Sequence, residues 1–339
     1  MIKQKNIIYG LDSLRFVLAF VVLLSHYPNE IGEYLKNRPD LIIHLLGLII
    51  KISFCGVGSV IAFFIISGFV IHLPYTENFR NPEKYFIRRY IRILGPLIVI
   101  TLITIKLHCY GCIPVWSLYC ELIYYTLYPL MYKIVNGKWK RICIVTFFLS
   151  YIIILFFANS DINSLIHQKN INYDGSYWQF GSFATWIIGL PCWLLGVYLA
   201  DNLRKKKEFA KVSFLKIMVI RTSIFFISII FVNLKFHYYF SYIFSMNIFA
   251  IPLFYWIREE ICYYKNTDPV LFVEFLGKFS YSIYLCHAVI LYIIMSYFKV
   301  TLYNYFIVIL LGLFVSYLFY LAIEKPSHKL AVYLSNKFN

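Results

Sequence analysis

Apolar runs of about seventeen residues or more recur from one end of this chain to the other, and each is long enough to cross, or nearly cross, a hydrocarbon core about 30 Å thick. A chain of that kind has few options. Inside a bilayer every backbone N–H and C=O must be satisfied within the protein, and apolar runs of this length do so as helices. With 61% hydrophobic and 14% charged residues and a mean hydropathy of +0.70, the sequence predicts an all-α, polytopic transmembrane helical bundle. The first apolar run lacks a small-residue cleavage site and continues into the polytopic pattern. It reads as a span rather than a removable signal.

About ten spanning helices are expected: 7–27, 54–73, 86–105, 115–132, 142–158, 183–200, 215–234, 240–257, 276–297 and 302–323. Segment 41–52 is apolar but short, and reads as a re-entrant or interfacial piece. No soluble domain is left over, so residues 1–339 read as a single integral-membrane domain. Ten spans sort the cations by side: one set of alternate segments carries twenty-three lysines and arginines and the opposite set six. The positive-inside rule then places both termini in the cytoplasm. The net charge of +16 thus reports topology and contact with anionic membrane lipids, and gives no reason to expect a nucleic-acid partner.

Against this apolar background the ionisable residues stand out. Arg15 and His26 share one face of the first helix, eleven positions and about 16 Å apart along its axis. An arginine at mid-span costs roughly 2.5 to 3.5 kcal/mol, so such residues normally face the protein interior or a water-filled cavity. The alternatives are an arginine reaching back to the head groups and a histidine at the interface. YFIRRYIRI places Arg88 and Arg92 on one face, a fork-shaped clamp for phosphate oxygens or a positive-inside cluster against lipid. Glu121, in WSLYCELIYYTLYP, must be paired or protonated at its depth. His26 is its expected partner and would then be a carboxylate-oriented general base; the competing reading bonds Glu121 to a tyrosine or to backbone for structure alone. Ser280, Tyr284 and His287 share one face of a later helix, as site candidates or as interhelical glue. Cys109 and Cys112 form a CxxC, expected to stay as two thiols, and no metal site is expected because only His108 lies near them.

Together these pieces resemble acyltransferase family 3, the membrane O-acyltransferases that include bacterial O-antigen, exopolysaccharide and nodulation-factor acetylases. The resemblance rests on Arg15 and His26, SGF at 67–69, RRYIRI at 88–93, WSLYCE with YYTLYP at 116–129, SYSIYLCH at 280–287 and IEKP at 323–326, in that order over nearly the whole chain. Two departures are visible: Leu122 and Ile123 follow Glu121 where relatives carry an acidic or amide residue, and the proline after RI comes late, at Pro96. The resemblance implies a multi-pass protein of the bacterial plasma (inner) membrane that takes an acyl group, acetyl first of all, from cytoplasmic acetyl-CoA or another acyl-CoA. The acceptor it implies is a hydroxyl of a lipopolysaccharide, another surface polysaccharide or a lipid-linked glycan. Arg15, Arg88, Arg89, Arg92 and Ser67 would hold the donor. His26 with Glu121 would be catalytic, either taking the hydroxyl proton or briefly carrying the acyl group. The rival reading is a secondary transporter or glycan flippase, since buried His, Glu and Arg also build proton relays; the paired Gly- or Pro-broken helices common in transporters are not seen.

Overall fold

The computed structural model describes residues 10–109, 111–112, 115–205 and 211–338. Of the cations counted above, Lys3, Lys5, Lys206 and Lys207 lie outside the described residues. Among the described residues the regular structure is helical, without strands. The helices are α1 Leu11–His26, α2 Glu30–Lys36, α3 Leu41–Lys51, α4 Gly56–His72, α5 Pro82–Lys106, α6 Val115–Val135, α7 Trp139–Phe157 and α8 Asn159–His167. They continue with α9 Gly181–Lys205, α10 Phe214–Tyr238, α11 Tyr242–Tyr264, α12 Leu271–Gly277, α13 Ser280–Tyr297 and α14 Tyr305–Phe319. A π-helical turn, Tyr320–Glu324, then leads into α15 Lys325–Ser335.

Each of the ten expected segments coincides with a helix, but by length and apolarity six of the described helices can cross a membrane, and seven if α1 and α2, bent by 59°, form one broken span. The physical reason lies in α5, α6 and α11, which are 25, 21 and 23 residues long but carry the polar groups. Arg88, Arg89 and Arg92 sit in α5, Glu121 among tyrosines in α6, and Asn247, Arg258, Glu259 and Glu260 in α11. Segment 41–52 is the short helix α3. It packs against α2 as a hairpin, where a Cβ on Gly47 would run into the Lys36 backbone, and Asp40 caps it by accepting from the Ile42 and Ile43 N–H groups at 2.9 and 3.0 Å. Cys109 and Cys112 are joined as a disulfide, Cα atoms 5.8 Å apart, which corrects the expectation of two thiols; the turn after α5 brings the pair within bonding reach.

The chain divides into two compact units, each drawn from three separate stretches. The first holds the residues up to Leu14, Val57–Phe79 and Trp116–Glu274; the second holds Arg15–Gly56, Arg80–Val115 and the chain from Phe275 onward.

In the first unit α4 and α9 approach at backbone distance. A Cβ on Gly68 would meet the Trp193 carbonyl, and one on Gly196 the Ile65 carbonyl, so only glycine permits this crossing. Asn247 of α11 ties three helices together: its Oδ1 accepts from the Tyr177 hydroxyl at 2.7 Å and the Cys192 thiol at 3.2 Å, and its Nδ2 donates to Ser150 Oγ at 3.2 Å and the Ile188 carbonyl at 2.9 Å. Arg221 of α10 is tolerated in an apolar helix because Glu260 of α11, fully buried, takes its fork at 2.7 and 2.8 Å and accepts from Trp256 Nε1 as well. Glu274 caps the start of α1, accepting from the Gly10 N–H at 2.9 Å and from the Ser13 N–H and hydroxyl at 2.8 and 2.6 Å.

In the second unit α15 and its π-helical lead-in lie along α5. Ser327 Oγ donates to the Ile91 carbonyl at 2.7 Å, Tyr281 of α13 donates to the Ile93 carbonyl at 3.0 Å, and a Cβ on Gly95 would strike Ser327. The apolar windows of α7, α10 and the α14–α15 stretch are only 22%, 11% and 22% buried, against 67% for α4, so these three elements offer the faces that lipid would cover.

Candidate active site

Two groups of the expected site residues form, one in each unit. In the second unit α1 brings half-buried Arg15 and, at its far end, exposed His26. His26 Nδ1 lies 2.9 Å from the Val22 carbonyl. A carbonyl oxygen only accepts, so Nδ1 carries the proton and the lone pair belongs to Nε2. The local geometry follows from the i to i−4 spacing on a helix, which puts a C-terminal side chain back over the preceding turn. Gly56 makes room for that turn, since a Cβ there would collide with Ser25 Oγ.

His287 of α13 meets His26 ring to ring, centroids 4.7 Å apart at 60°. Its Nδ1 is bound in the same way, 2.8 Å from the Tyr284 carbonyl, and its buried Nε2 has no hydrogen-bond partner among the described residues. Tyr284 lies beside it, centroids 6.1 Å apart, and Ser280, Tyr284 and His287 are all buried in α13. The polar face expected on that helix is therefore turned inward, and its histidine is brought to His26.

The arginines gather at the other end of the same unit. Arg88 is already engaged: Nε donates to Ser335 Oγ at 2.8 Å and Nη2 reaches Asn336 Oδ1 at 3.4 Å. Buried Glu324 in the π-helical turn lies within electrostatic reach of Arg92 and, more weakly, Arg15. Glu324 also accepts from the Ser282 N–H at 3.1 Å and hydroxyl at 2.5 Å. Arg88, Arg89 and Arg92 all bear on His328 one turn further along α15. Neither Glu324 nor His328 was singled out in the sequence as a site residue. Glu324 stands in IEKP, and the signal that could have found it is the rule applied to Glu121, that a carboxylate at membrane depth needs a partner.

In the first unit Glu121 has its partners close by. Ser67 Oγ donates to its Oε1 at 2.6 Å, Tyr125 donates to the same oxygen, the two hydroxyls lie 3.0 Å apart, and Trp193 Nε1 donates to Ser67 Oγ at 3.2 Å. The SGF and WSLYCE motifs thus meet in one polar cluster. Ser67, expected on the donor, is bonded to Glu121 here, and Glu121 carries a tyrosine. The partners given above for His26 lie in the second unit and those for Glu121 in the first. Among the described residues no three His, Cys, Asp or Glu side chains are placed to hold a metal ion.

The sequence matches the family model of the acyltransferase domain, acyltransferase family 3, over residues 8–321. The chain belongs to acyltransferase family 3. The match covers nearly the whole chain. No curated protein matches the chain, and no solved structure does. As a family 3 member with apolar helices long enough to span, this protein is a membrane acyltransferase.

Proposed function

We propose that this acyltransferase moves an acyl group, acetyl first of all, from acyl-CoA on the cytoplasmic side to a hydroxyl of a cell-surface or lipid-linked glycan. It would do so in the bacterial plasma membrane, with both termini cytoplasmic. The observation that carries the reading is His26 itself: exposed, with Nδ1 bound to its own helix, so that the lone pair of Nε2 is left for a substrate proton. In this reading Nε2 takes the proton of the acceptor hydroxyl as that oxygen attacks the thioester carbon. The C–S bond breaks, and the departing thiolate takes the proton from the imidazolium. His287, ring to ring with His26, limits how that imidazole can turn.

Arg15, Arg89 and Arg92 supply the charge for the phosphates of the donor, and Arg88, tied to α15, shapes the site beside them. Arg15 lies about 16 Å from His26 along α1, a distance that an extended pantetheine arm spans. Glu121, held by Ser67 and Tyr125, supports catalysis through its charge.

Surface glycans from cells with the protein, without it and with a His26→Ala version, compared by mass spectrometry, test the reading. Acetyl groups should appear only with the intact protein. Cysteines in place of Lys205 and Lys169 should react with an impermeant reagent from the cytoplasm and from outside, respectively. The reverse labelling would remove the cytoplasmic donor site.

A further inference from the structure

Away from the groups described above, the first unit carries a basic cavity with an apolar wall. The chain turns back between α6 and α7 through Asn136 and Gly137, both with positive φ (44° and 78°). This turn delivers Lys138, Lys140 and Arg141 to the mouth of a cavity of about 550 Å³ between the first turns of α7 and the last turns of α9. Lys205 completes the rim. The one carboxylate of the lining, Asp201, is held by Lys205 at 2.7 Å.

Among the described residues no acidic group pairs with Lys138, Lys140 or Arg141. Three like charges around one cavity repel one another, and an anion between them would relieve that repulsion. The side chain of Lys138 does not cap α7, so the positive end of a 19-residue helix adds to the same potential. Tyr198 and Asn202, half-buried on α9, offer neutral donors from the opposite wall.

What distinguishes this cavity from a plain anion site is its floor. Ile144 and Val145 line it, both about half exposed, and the same helix continues outward with exposed Phe148, Leu149, Ile152 and Leu155, ending at Phe156. From Ile144 to Phe156 the helix rises about 18 Å, close to the hydrocarbon depth of one leaflet, about 15 Å. A phosphate-bearing solute would use the rim and leave this column bare. A phospholipid uses both.

We propose that the cavity formed by Lys138, Lys140 and Arg141 over the apolar flank of α7 binds the headgroup phosphate of an anionic phospholipid whose acyl chains lie along Ile144 to Phe156. The assignment stands on the cavity alone and does not depend on the acyl-transfer reading.

Native mass spectrometry of the purified full-length protein, exposed in turn to dioleoyl-phosphatidylglycerol, dioleoyl-phosphatidylcholine and inorganic phosphate, tests it. Phosphatidylglycerol should be retained and phosphatidylcholine lost. Lys138→Gln/Lys140→Gln/Arg141→Gln should weaken phosphatidylglycerol binding on the order of a hundredfold, since each cation near an anionic headgroup counts for about fivefold. Lys133→Gln, which removes one charge outside the cavity as Arg141→Gln does inside it, should leave binding unchanged. Asp201→Asn should strengthen it by a few fold, and this variant with Arg141→Gln alone carries the test if the triple variant fails to insert. Equal retention of the two lipids, or wild-type binding by the triple variant, would overturn the proposal. Displacement of bound lipid by millimolar inorganic phosphate would do so too, by assigning the rim to a soluble phosphate.

Discussion

Glu121 in the first unit and His26 in the second are both polar groups on apolar helices, yet their surroundings differ in kind. Glu121 is held through one oxygen: Ser67 and Tyr125 donate to Oε1, and Trp193 donates to Ser67. His26 spends only Nδ1 on the fold, through the Val22 carbonyl, and keeps Nε2 for something else. A carboxylate shielded from water needs donors, and the hydroxyls that satisfy Glu121 also fix its position. An imidazole has two nitrogens, and a helix can fix one while leaving the other for proton transfer. In the proposed reading His26 is the group that works on the substrate and Glu121, fixed by its hydroxyl donors, supports it.

Removing the working group should have the largest effect. His26→Ala is expected to lower acyl transfer by about 10² to 10⁴, the usual contribution of a positioned base, while thermal stability of the inserted protein changes little because the side chain is exposed. A variant that still acylates glycan at near the original rate would end the comparison at once.

Glu121→Gln sharpens it. The amide oxygen still accepts from Ser67 and Tyr125, so insertion and melting should be nearly unchanged, and any rate loss reports the charge alone. A loss of about tenfold is expected if the carboxylate supports the chemistry. Combined with His26→Ala, it should add little if the two act as one unit and should multiply if they do not. An unaltered rate for Glu121→Gln would leave this carboxylate a purely structural bond.

The smallest effect, and the one that divides the arginines, concerns the donor. Arg92→Lys keeps the charge but loses the planar fork, and should raise the KM for acyl-CoA several fold with kcat little changed. Arg88→Lys should change it less, because the Arg88 guanidinium is already bound by Ser335 and Asn336. Equal shifts in steady-state kinetics would mean that the α15 contacts do not distinguish the two.

Much of this was legible in the sequence because apolar run length and motif order are local properties. The ten helical segments and the face shared by Arg15 and His26 follow from spacing, and the family from the residues of its motifs, later matched by the family model. Other features were not. Ten segments were expected to span, whereas six or seven helices are apolar enough once their bounds are set by the structure, because α5, α6 and α11 carry polar residues. The disulfide at Cys109 and Cys112 needed the shape of a turn. Glu324 was in view within IEKP, but it meets Ser282 from a π-helical turn that no periodicity announces.

The sequence by itself determined that the chain is helical, lipid-facing and a family 3 acyltransferase, because hydropathy and motif spacing act along the chain and need no partner to be read. Tertiary structure alone decided that His287 rather than another polar residue stands against His26 in its unit, that Ser67 and Tyr125 bond to Glu121, and that Arg88 is engaged by α15. Each of these depends on how helices distant in sequence cross, and crossings are set by close approach at small residues such as Gly56, Gly68 and Gly95.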